Sequence, residues 1–379
     1  MAKPTPLSIP LLFLITITIA IPSTSAKTFR CTTAGATCQS IVDYLPPNRT
    51  TLRAIQSLFS VPHLYSILGA NNLPLNTTAS TPVPPQQRLR IPFPCLCSNG
   101  TGASRGRPVY TVVPDDGLWH IAAQVFSNIV TVAEIQAANG IPNPDKIEVG
   151  QNLTIPLPCS CDEVGGAAVV HYGHEVAAES SIEGIAQQYN VSQETLMQLN
   201  NLTGPQDLKA QDIIDVPLRD TPLEKTNVSE IDDHLLELFW DFGGMIETCS
   251  SMVSNNSLDY PLLVPSNAYV VTANACVKCK CDNNTANSML QCEPAGMINA
   301  SCPVIRCDAS PNLFLGNTTS SGCNATTCSY AGYNTTIQTM LDSVSTCPAP
   351  PGPGSSATTL NGWRLVIFIN AVMLCLLFV

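Results

Sequence analysis

The apolar positions between residues 110 and 155 predict a strand, two helices and a second strand. Residues 110–113 are rich in strand-forming side chains, and residues 152–155 return as a strand. Thr131 and Glu134 have the spacing of a capping box for the second helix, which the Asn139–Gly140 turn signal ends. The first helix is indicated by apolar residues spaced i, i+3, i+4, i+7 along one face, namely Leu118, Ile121, Ala122 and Val125.

This β-α-α-β pattern occurs three times in the first half of the chain. The segment PFPCLC at residues 92–97 recurs as PLPCSC at residues 156–161, and both follow such a unit. Each unit is too short to bury a robust core alone, so we expect cross-links between units. Matching positions are the starts Tyr44, Tyr110 and His174, the anchors Leu52, Leu118 and Ile182, and the second-helix ends Asn71, Asn139 and Asn200.

The 17 cysteines indicate an oxidising compartment. Six of them, at positions 31, 38, 95, 97, 159 and 161, flank the units, and spacing alone leaves 15 connectivities open. Ten more cysteines predict five disulfides in a cysteine-rich second half, and their spacing does not show which cysteine pairs with which. They are Cys249, Cys276, Cys279, Cys281, Cys292, Cys302, Cys307, Cys323, Cys328 and Cys347. A structural disulfide is favoured over a zinc half-site at Cys276-x-x-Cys279, and His171 and His174 are predicted to be surface histidines.

The net charge and the two ends of the sequence narrow the class of protein further. A net charge of −11 with 12% charged residues argues against nucleic acid as a partner. Residues 1–26 have the pattern of a secretory signal peptide, and residues 357–379 that of a GPI attachment propeptide. The attachment residue is then Gly354, Ser355 or Ser356, at the end of a stalk over residues 348–356, so contact with the membrane is expected through the lipid alone.

Thirteen N-x-[ST] sequons fit an extracellular route and predict surface positions. They begin at Asn48, Asn76, Asn99, Asn152, Asn190, Asn201, Asn227, Asn255, Asn283, Asn299, Asn317, Asn324 and Asn334.

The motifs YTVVPDDGLWHIA and AANGIPNPDKIEVGQNLTIP resemble a LysM carbohydrate-binding domain. With the CxC spacers and both terminal signals, the whole chain resembles the plant LysM domain-containing GPI-anchored receptor proteins. The resemblance implies an α+β fold of three disulfide-linked LysM modules (27–97 with the N-terminal cysteines, 108–156 and 170–218), followed by a cysteine-rich domain (225–347). It also implies the pairs Cys31–Cys97, Cys38–Cys161 and Cys95–Cys159.

In that family the ligand is a glycan that contains N-acetylglucosamine, bound between two loops of a module. The middle module is favoured, because the third lacks the glycine-aspartate turn and the first has a longer second loop. Asp115 and Asp116 are predicted to cap the first helix more readily than to touch sugar, and Ile141 fits the core as well as the ligand. The candidate ligand residues are Asp116, Gly117, Leu118, Gly140, Ile141, Pro142, Asn143, Pro144 and Ile147.

The predicted function is therefore that of a cell-surface receptor on the extracellular face of the membrane, which binds peptidoglycan or chitin oligomers in innate immunity. The resemblance implies a LysM receptor kinase as signalling partner and allows oligomers with related LysM proteins. No cofactor or metal is expected. The alternatives are a chitin-specific receptor and a wall-anchored glycan hydrolase, for which Asp241, Glu247 and Asp259 are the candidate carboxylates, although no catalytic motif surrounds them.

Overall fold

The computed structural model describes residues 28–219, 248–249, 251–281, 290–297 and 301–345. Within these ranges no helix is long and apolar enough to cross a membrane. The predicted signal peptide, stalk and attachment propeptide lie outside the described residues, with the candidate attachment residues. So do Cys347 and the sequons at Asn227, Asn283 and Asn299.

Three helical pairs occupy the first half of the chain, one in each predicted unit. Their helices are α1 (Leu52–Leu58), α2 (Leu64–Ala70), α3 (Leu118–His120), α4 (Val132–Asn139), α5 (Ile182–Gln188) and α6 (Gln193–Leu199). Helix α3 continues as a π-helix over Ile121–Val125, and a short 3-10 helix covers Pro205–Asp207.

Short strands frame these helices and make up most of the regular structure of the second half. The first half has β1 (Phe29–Arg30), β2 (Thr37–Tyr44), β3 (Thr50–Thr51), β4 (Pro82–Val83), β5 (Leu89–Ser98), β6 (Thr101–Ser104), β7 (Val109–Thr111), β8 (Asn152–Thr154), β9 (Pro158–Cys159), β10 (Val169–Glu175) and β11 (Ile213–Arg219). The second half has β12 (Thr248–Cys249), β13 (Val264–Pro265), β14 (Tyr269–Thr272), β15 (Val277–Lys280), β16 (Gln291–Pro294), β17 (Arg306–Cys307), β18 (Ser310–Phe314), β19 (Thr318–Ser321), β20 (Asn324–Tyr333) and β21 (Ile337–Ser345).

One asparagine closes each unit in the same way. The Asn139 side-chain amide donates to the Ile135 and Thr154 carbonyls, at 2.8 Å each, and its oxygen accepts from the Thr154 N–H at 2.8 Å. Asn71 and Asn200 make the equivalent three bonds in the first and third units. The side chain thus ties the end of the second helix to the last strand, and the three units share one local design.

The helix boundaries of the second unit follow the local sequence signals, with one difference. The capping box of Thr131 and Glu134 is present, and Gly140 ends α4 with a φ of 61°, as predicted. The first helix, however, is π-helical over its second half, and the Phe126 N–H bonds to the Ile121 carbonyl. The wider turn places Phe126 rather than Val125 fully in the core.

The first and third units share one sheet, in the strand order β5-β2-β10-β11. Strand β2 pairs parallel with β10, where Gly173 lies opposite Val42. A Cβ atom at Gly173 would be only 3.0 Å from Val42 Cγ2, so glycine permits the close approach of the two strands. The second unit keeps its own two-stranded sheet, formed by β7 and β8.

Three disulfides join the N-terminal segment and the two CxC motifs. Strands β5, β6 and β9, which carry or adjoin these motifs, are hydrogen-bonded neighbours in the shared sheet. The bridges are Cys31–Cys97, Cys38–Cys161 and Cys95–Cys159, the pairs that the family resemblance implies.

The cysteine-rich half is likewise disulfide-bonded over its described part. Cys276 and Cys279 pair with different partners, so this CxxC is neither a redox pair nor a half-site for zinc. The bridges are Cys249–Cys281, Cys276–Cys302, Cys279–Cys292 and Cys307–Cys328. Cys323 is also disulfide-bonded.

A buried polar cluster lies where the first and third units meet. The Asp43 carboxylate, with no side-chain exposure, forms an ion pair with Arg88 and accepts from the Tyr172 hydroxyl at 2.5 Å and the Glu175 N–H at 3.0 Å. His174 Nδ1 is 3.2 Å from the same carboxylate. Burial opposes ionisation, but the His174 hydrogen bond and the Arg88 charge outweigh it and lower the pKa of Asp43 below its ordinary value.

The prediction that His171 and His174 are surface histidines is wrong. They are 1% and 6% exposed, because β10 is flanked by β2 and β11 and both of its faces are covered. His171 Nδ1 lies 2.9 Å from the Asp215 carboxylate, and its Nε2 lies 2.8 Å from the Asp162 carbonyl. Burial alone would lower the pKa of His171, but the negative charge of Asp215 raises it above its ordinary value.

Replacing Asp43 should weaken the interface between the first and third units. In the Asp43→Asn variant, Arg88 loses its buried counter-charge, and we expect a loss of about 3 kcal/mol in the free energy of unfolding. Denaturant unfolding of the disulfide-intact protein measures it. The control is Glu293→Gln, which breaks the exposed Lys278–Glu293 pair at 3.0 Å and should cost less than about 1 kcal/mol. Equal effects of the two substitutions would contradict the assignment.

The His171–Asp215 pair should make stability depend on pH. Because the folded-state pKa of His171 is raised, its stabilising contribution is complete below the ordinary value of 6.5 and is lost as pH rises through the folded-state value. The free energy of unfolding, measured at a series of pH values above 6, should therefore fall less steeply in His171→Gln than in the wild type. Parallel curves for the two proteins would disprove this.

Candidate functional site

The candidate site lies at one end of the second unit, next to the two-stranded sheet of β7 and β8. Main-chain bonds extend this pairing past the strands, from the Val112 N–H to the Gln151 carbonyl at 2.9 Å and from the Gly150 N–H to the Val112 carbonyl at 2.8 Å. The first loop, residues 113–117, follows β7 here and leads into α3. The second loop, residues 140–147, leads from α4 back towards β8. Much of both loops is exposed to solvent.

The buried carboxylate of Asp116 fixes the first loop through hydrogen bonds. Its carboxylate is 1% exposed and accepts from the Tyr110 hydroxyl and the Val113 N–H, both at 2.8 Å. The other oxygen lies 2.8 Å from His120 Nδ1. With these three partners the side chain fixes the turn, whereas direct contact with a glycan would require it to leave them. Asp116 is therefore a positioning residue for the loop.

The ionisation of this cluster follows from the same contacts. Burial opposes the charge on Asp116, but the hydrogen bonds from Val113, His120 and Tyr110 lower the pKa of its carboxyl below the ordinary value. Burial and the hydrogen bond to the carboxylate raise the pKa of Tyr110 to about 12. At neutral pH the loop is thus held by a carboxylate that accepts from a neutral phenol.

The prediction that Asp115 and Asp116 cap the first helix is wrong. The N-cap residue of α3 is Gly117, and no side chain caps the helix. Asp115 is exposed and has a φ of 70°, a left-handed conformation that aspartate tolerates in turns. Asp116 serves the turn before the helix, because its carboxylate bonds to Val113 and Tyr110 rather than to the first N–H groups of α3.

The candidate ligand residues fall into a buried group and a more exposed group. Leu118 and Ile141 are 2% and 9% exposed and belong to the apolar core, so their side chains are packing residues. Ile141 is fixed further by Gln136, whose carbonyl accepts from its N–H at 3.0 Å and whose amide donates to its carbonyl at 3.2 Å. The remaining candidates are exposed or half-buried: Gly117, Gly140, Pro142, Asn143, Pro144 and Ile147.

Sequence reasoning did not single out three exposed apolar side chains around the first loop. Trp119 is 67% exposed, Val113 48% and Val149 66%. A signal was present for Trp119, because it falls off the helical face marked by Leu118 and Ile121. Exposed aromatic and aliphatic groups beside main-chain polar groups suit a ligand that has both apolar faces and hydrogen-bonding edges.

The equivalent second loop of the third unit is organised by a carboxylate of its own. The Asp207 carboxylate binds three groups of that loop, the Thr203 hydroxyl at 2.5 Å and the Thr203 and Gly204 N–H groups at 2.8 and 3.2 Å. Asn201, which begins a sequon, is exposed in the same loop. A glycan attached there would cover it.

The sequons within the described residues lie at the surface. Asn334 is half-buried, and the others are exposed, namely Asn48, Asn76, Asn99, Asn152, Asn190, Asn201, Asn255, Asn317 and Asn324. Near the candidate site, the Asn152 side-chain oxygen accepts from the Thr111 hydroxyl at 2.8 Å.

Of the carboxylates considered for a hydrolase, Asp259 lies among the described residues. It accepts hydrogen bonds from the Thr272 hydroxyl at 2.6 Å and from the Tyr330 hydroxyl. Both partners belong to the cysteine-rich half, so the Asp259 carboxylate is hydrogen-bonded within that half. Asp241 and Glu247 lie outside the described residues.

Removing the Asp116 carboxylate should loosen the first loop. The Asp116→Ala variant loses three hydrogen bonds, and we expect a loss of about 2 kcal/mol in the free energy of unfolding with faster hydrogen exchange at the Val113 N–H. The control is His120→Ala, which removes one exposed partner and leaves the bonds from Val113 and Tyr110 in place. Unchanged exchange at Val113 in Asp116→Ala would contradict the positioning role.

Comparison with known proteins places this chain in a family. The LysM domain model matches residues 110–156 and 174–217. LysM domain-containing GPI-anchored protein 2 of Arabidopsis thaliana is 41% identical over 357 residues, covering 92% of this chain and 91% of that protein. Chitin elicitor-binding protein of Oryza sativa subsp. japonica is 36% identical over 363 residues, covering 93% and 92%. A solved receptor-like kinase ectodomain is 24% identical with a TM-score of 0.41, covering 50% of this chain and 95% of that one. The identity to the Arabidopsis protein extends over nine tenths of both chains, and this chain therefore belongs to the family of plant LysM domain-containing GPI-anchored proteins.

Proposed function

We propose that this protein is a cell-surface receptor that binds glycans containing N-acetylglucosamine at the two loops of the second unit. The observation that carries the proposal is the exposure of both loops, residues 113–117 and 140–147, within a unit that matches the LysM model. Each loop is fixed by a side-chain hydrogen bond: the Asp116 carboxylate accepts from the Val113 N–H, and the Gln136 amide donates to the Ile141 carbonyl. The binding surface is thus largely organised before the ligand arrives, which lowers the entropic cost of binding.

The chemistry of the loops suits a neutral amino-sugar polymer. Gly140, Pro142 and Pro144 leave main-chain groups open to the acetamido groups and hydroxyls of a sugar. The exposed side chains of Val113 and Trp119 offer apolar surface to ring faces and acetyl methyl groups. The net charge of −11 disfavours polyanions as ligands.

Peptidoglycan and chitin share the N-acetylglucosamine unit, and both are proposed ligands. The first-unit sequence looks more like the peptidoglycan-binding branch of the family. The similarity to a protein named chitin elicitor-binding protein supports chitin oligomers. Peptidoglycan also carries a lactyl-bearing sugar, so the two polymers differ in the width of groove that they require.

The remaining assignments are part of the same proposal. The first unit is a LysM module like the other two, because Asn71 closes it as Asn139 and Asn200 close theirs. The domain limits are those of the sequence analysis, with a cysteine-rich domain over residues 225–347. The protein is held at the extracellular face by a GPI lipid, as the names of its relatives support, and signals through a LysM receptor kinase.

A glycan placed in the second loop should abolish ligand binding. Asn143 is followed by Pro144 and Asp145, and neither residue fits the N-x-[ST] sequon. The double variant Pro144→Ala/Asp145→Thr creates the sequon N-A-T, and we expect at least about a tenfold loss of affinity because the attached glycan fills the groove. Pull-down of the secreted protein on insoluble peptidoglycan and on chitin measures binding to each polymer.

The matched control is Pro144→Ala/Asp145→Val, which changes the same two residues without creating a sequon, so the loss of affinity beyond that of this control is the effect of the glycan. Removing the new glycan enzymatically should restore binding to the sequon variant. Wild-type protein that is captured by neither polymer would refute the proposed function. Soluble fragments released from peptidoglycan would instead support the hydrolase.

A further inference from the structure

A pair of packed rings recurs in all three units. Each pair joins a residue of the first strand of the unit to the aromatic residue that is the C-cap of its first helix. The ring centroids lie 4.9 Å apart in Tyr44–Phe59, 5.9 Å apart in Tyr110–Phe126 and 5.2 Å apart in His174–Tyr189. The ring pair is therefore part of the local design that the three units share.

The ring pairs of the first and second units pack against each other. The Phe59 and Phe126 ring centroids are 5.7 Å apart with an interplanar angle of 88°, which is an edge-to-face arrangement. Both side chains are buried, at 3% and 0% exposure. The four rings thus form one continuous row across the boundary between the two units, in the order Tyr44, Phe59, Phe126 and Tyr110.

The first unit also contacts the residues on either side of Phe126. The Tyr44 hydroxyl donates to the Val125 carbonyl at 3.2 Å, and the Ser127 hydroxyl donates to the Leu45 carbonyl at 2.5 Å. Val125 ends the π-helix, where carbonyl groups lack partners within the helix. Three consecutive residues of the second unit are therefore each in contact with the first unit.

The other end of the row of rings reaches the first loop of the second unit. Tyr110 packs edge-on against Phe126, and its hydroxyl donates to the Asp116 carboxylate at 2.8 Å. The same carboxylate oxygen accepts from the Val113 N–H, so the Tyr110 hydroxyl helps to fix the turn. Because buried rings are closely packed, a displacement of Phe126 would move the Tyr110 ring and with it the donor to Asp116.

We propose that Phe59 and Tyr44 of the first unit are positioning residues for the glycan-binding loop of the second unit, and that they act on it through Phe126 and Tyr110. The inference rests on the proposed function, because this loop is part of the proposed binding surface. In this arrangement the first unit keeps the loop of its neighbour in the conformation that the ligand requires. The cost of ordering the loop is then met before the ligand binds.

Phe59→Leu tests the contact between the rings of the two units. Leucine keeps an apolar side chain in the core but loses the edge-to-face contact with Phe126. The matched control is Tyr189→Leu, at the equivalent position of the third unit. The Tyr189 ring is also buried, at 2% exposure, but it packs on Tyr172 and His174 of its own unit. The control therefore removes a similar ring that lies outside the row.

Two measurements on the intact protein show whether the loop responds. Hydrogen exchange at the Val113 N–H, which occurs by local opening of the loop, should become at least about tenfold faster in Phe59→Leu. Calorimetric titration should show about fivefold weaker binding of an N-acetylglucosamine tetramer. Tyr44→Phe removes only the hydrogen bond to the Val125 carbonyl, and it should change both quantities in the same direction by a smaller factor.

Tyr189→Leu should change neither quantity, although it removes a buried ring. Equal exchange rates at Val113 in Phe59→Leu and Tyr189→Leu would overturn the positioning role, because the loop would then respond to any loss of core packing.

A double-mutant cycle identifies the route from the first unit to the loop. Tyr110→Phe removes the hydroxyl that donates to Asp116 and keeps the ring. In this background, Phe59→Leu should weaken tetramer binding by less than about twofold instead of about fivefold, since the donor that it displaces is already absent. Fully additive effects of the two substitutions would overturn the proposed route.

The positioning role and the proposed function fail in different ways. Wild-type protein that binds no tetramer refutes glycan binding at the second unit, whereas hydrogen exchange at Val113 needs no ligand and still reports on the loop. Unchanged exchange there in Phe59→Leu would contradict the positioning role even in a protein that binds the tetramer.

Discussion

The architecture depends on disulfides between units that are too small to be stable alone. The Cys161 sulfur atom lies within 4.8 Å of the sulfur atoms of Cys38 and Cys95, and also of those of Cys31 and Cys97, so all three bridges meet near one point. Because Cys95 and Cys161 belong to the two CxC motifs, this point joins the end of the first unit to the end of the second. The bridges constrain the unfolded chain over loops of 64 to 123 residues, where cross-linking has a large entropic effect.

Once the units are joined, polar contacts determine how they meet. Strands β2 and β10 pair through only a few residues, and Asp43 lies just beyond this pairing with Arg88 and His174 around it. A buried carboxylate is costly unless every lone pair has a partner, so this arrangement tolerates little displacement. The apolar contacts supply stabilisation, whereas the Asp43 cluster favours one relative position of the two units.

Local signals predicted local structure well. The Thr131–Glu134 capping box and the Gly140 terminus follow from residues within a few positions of one another, and the repeat identified the equivalent asparagines. The π-helix that ends before Phe126 could not be predicted from the spacing of apolar residues, because it depends on the packing of the Phe126 ring in the core. The burial of His171 required knowledge that β10 pairs with a strand of the first unit. Asp116 was correctly placed in the loop but assigned the wrong partners, since Tyr110 and His120 approach it only in the folded unit.

The three units have different neighbours in the assembled chain. The first and third units contribute β2 and β10 to the shared sheet, and the first unit also contacts β14 through Gly69. The β7–β8 pair of the second unit stays outside this sheet. Its contact with the first unit involves the segment around Ser127, at the end of the first helix, rather than the loops at residues 113–117 and 140–147. Three units of one local design thereby acquire different neighbours without a change of fold, and the loops at residues 113–117 and 140–147 stay largely exposed.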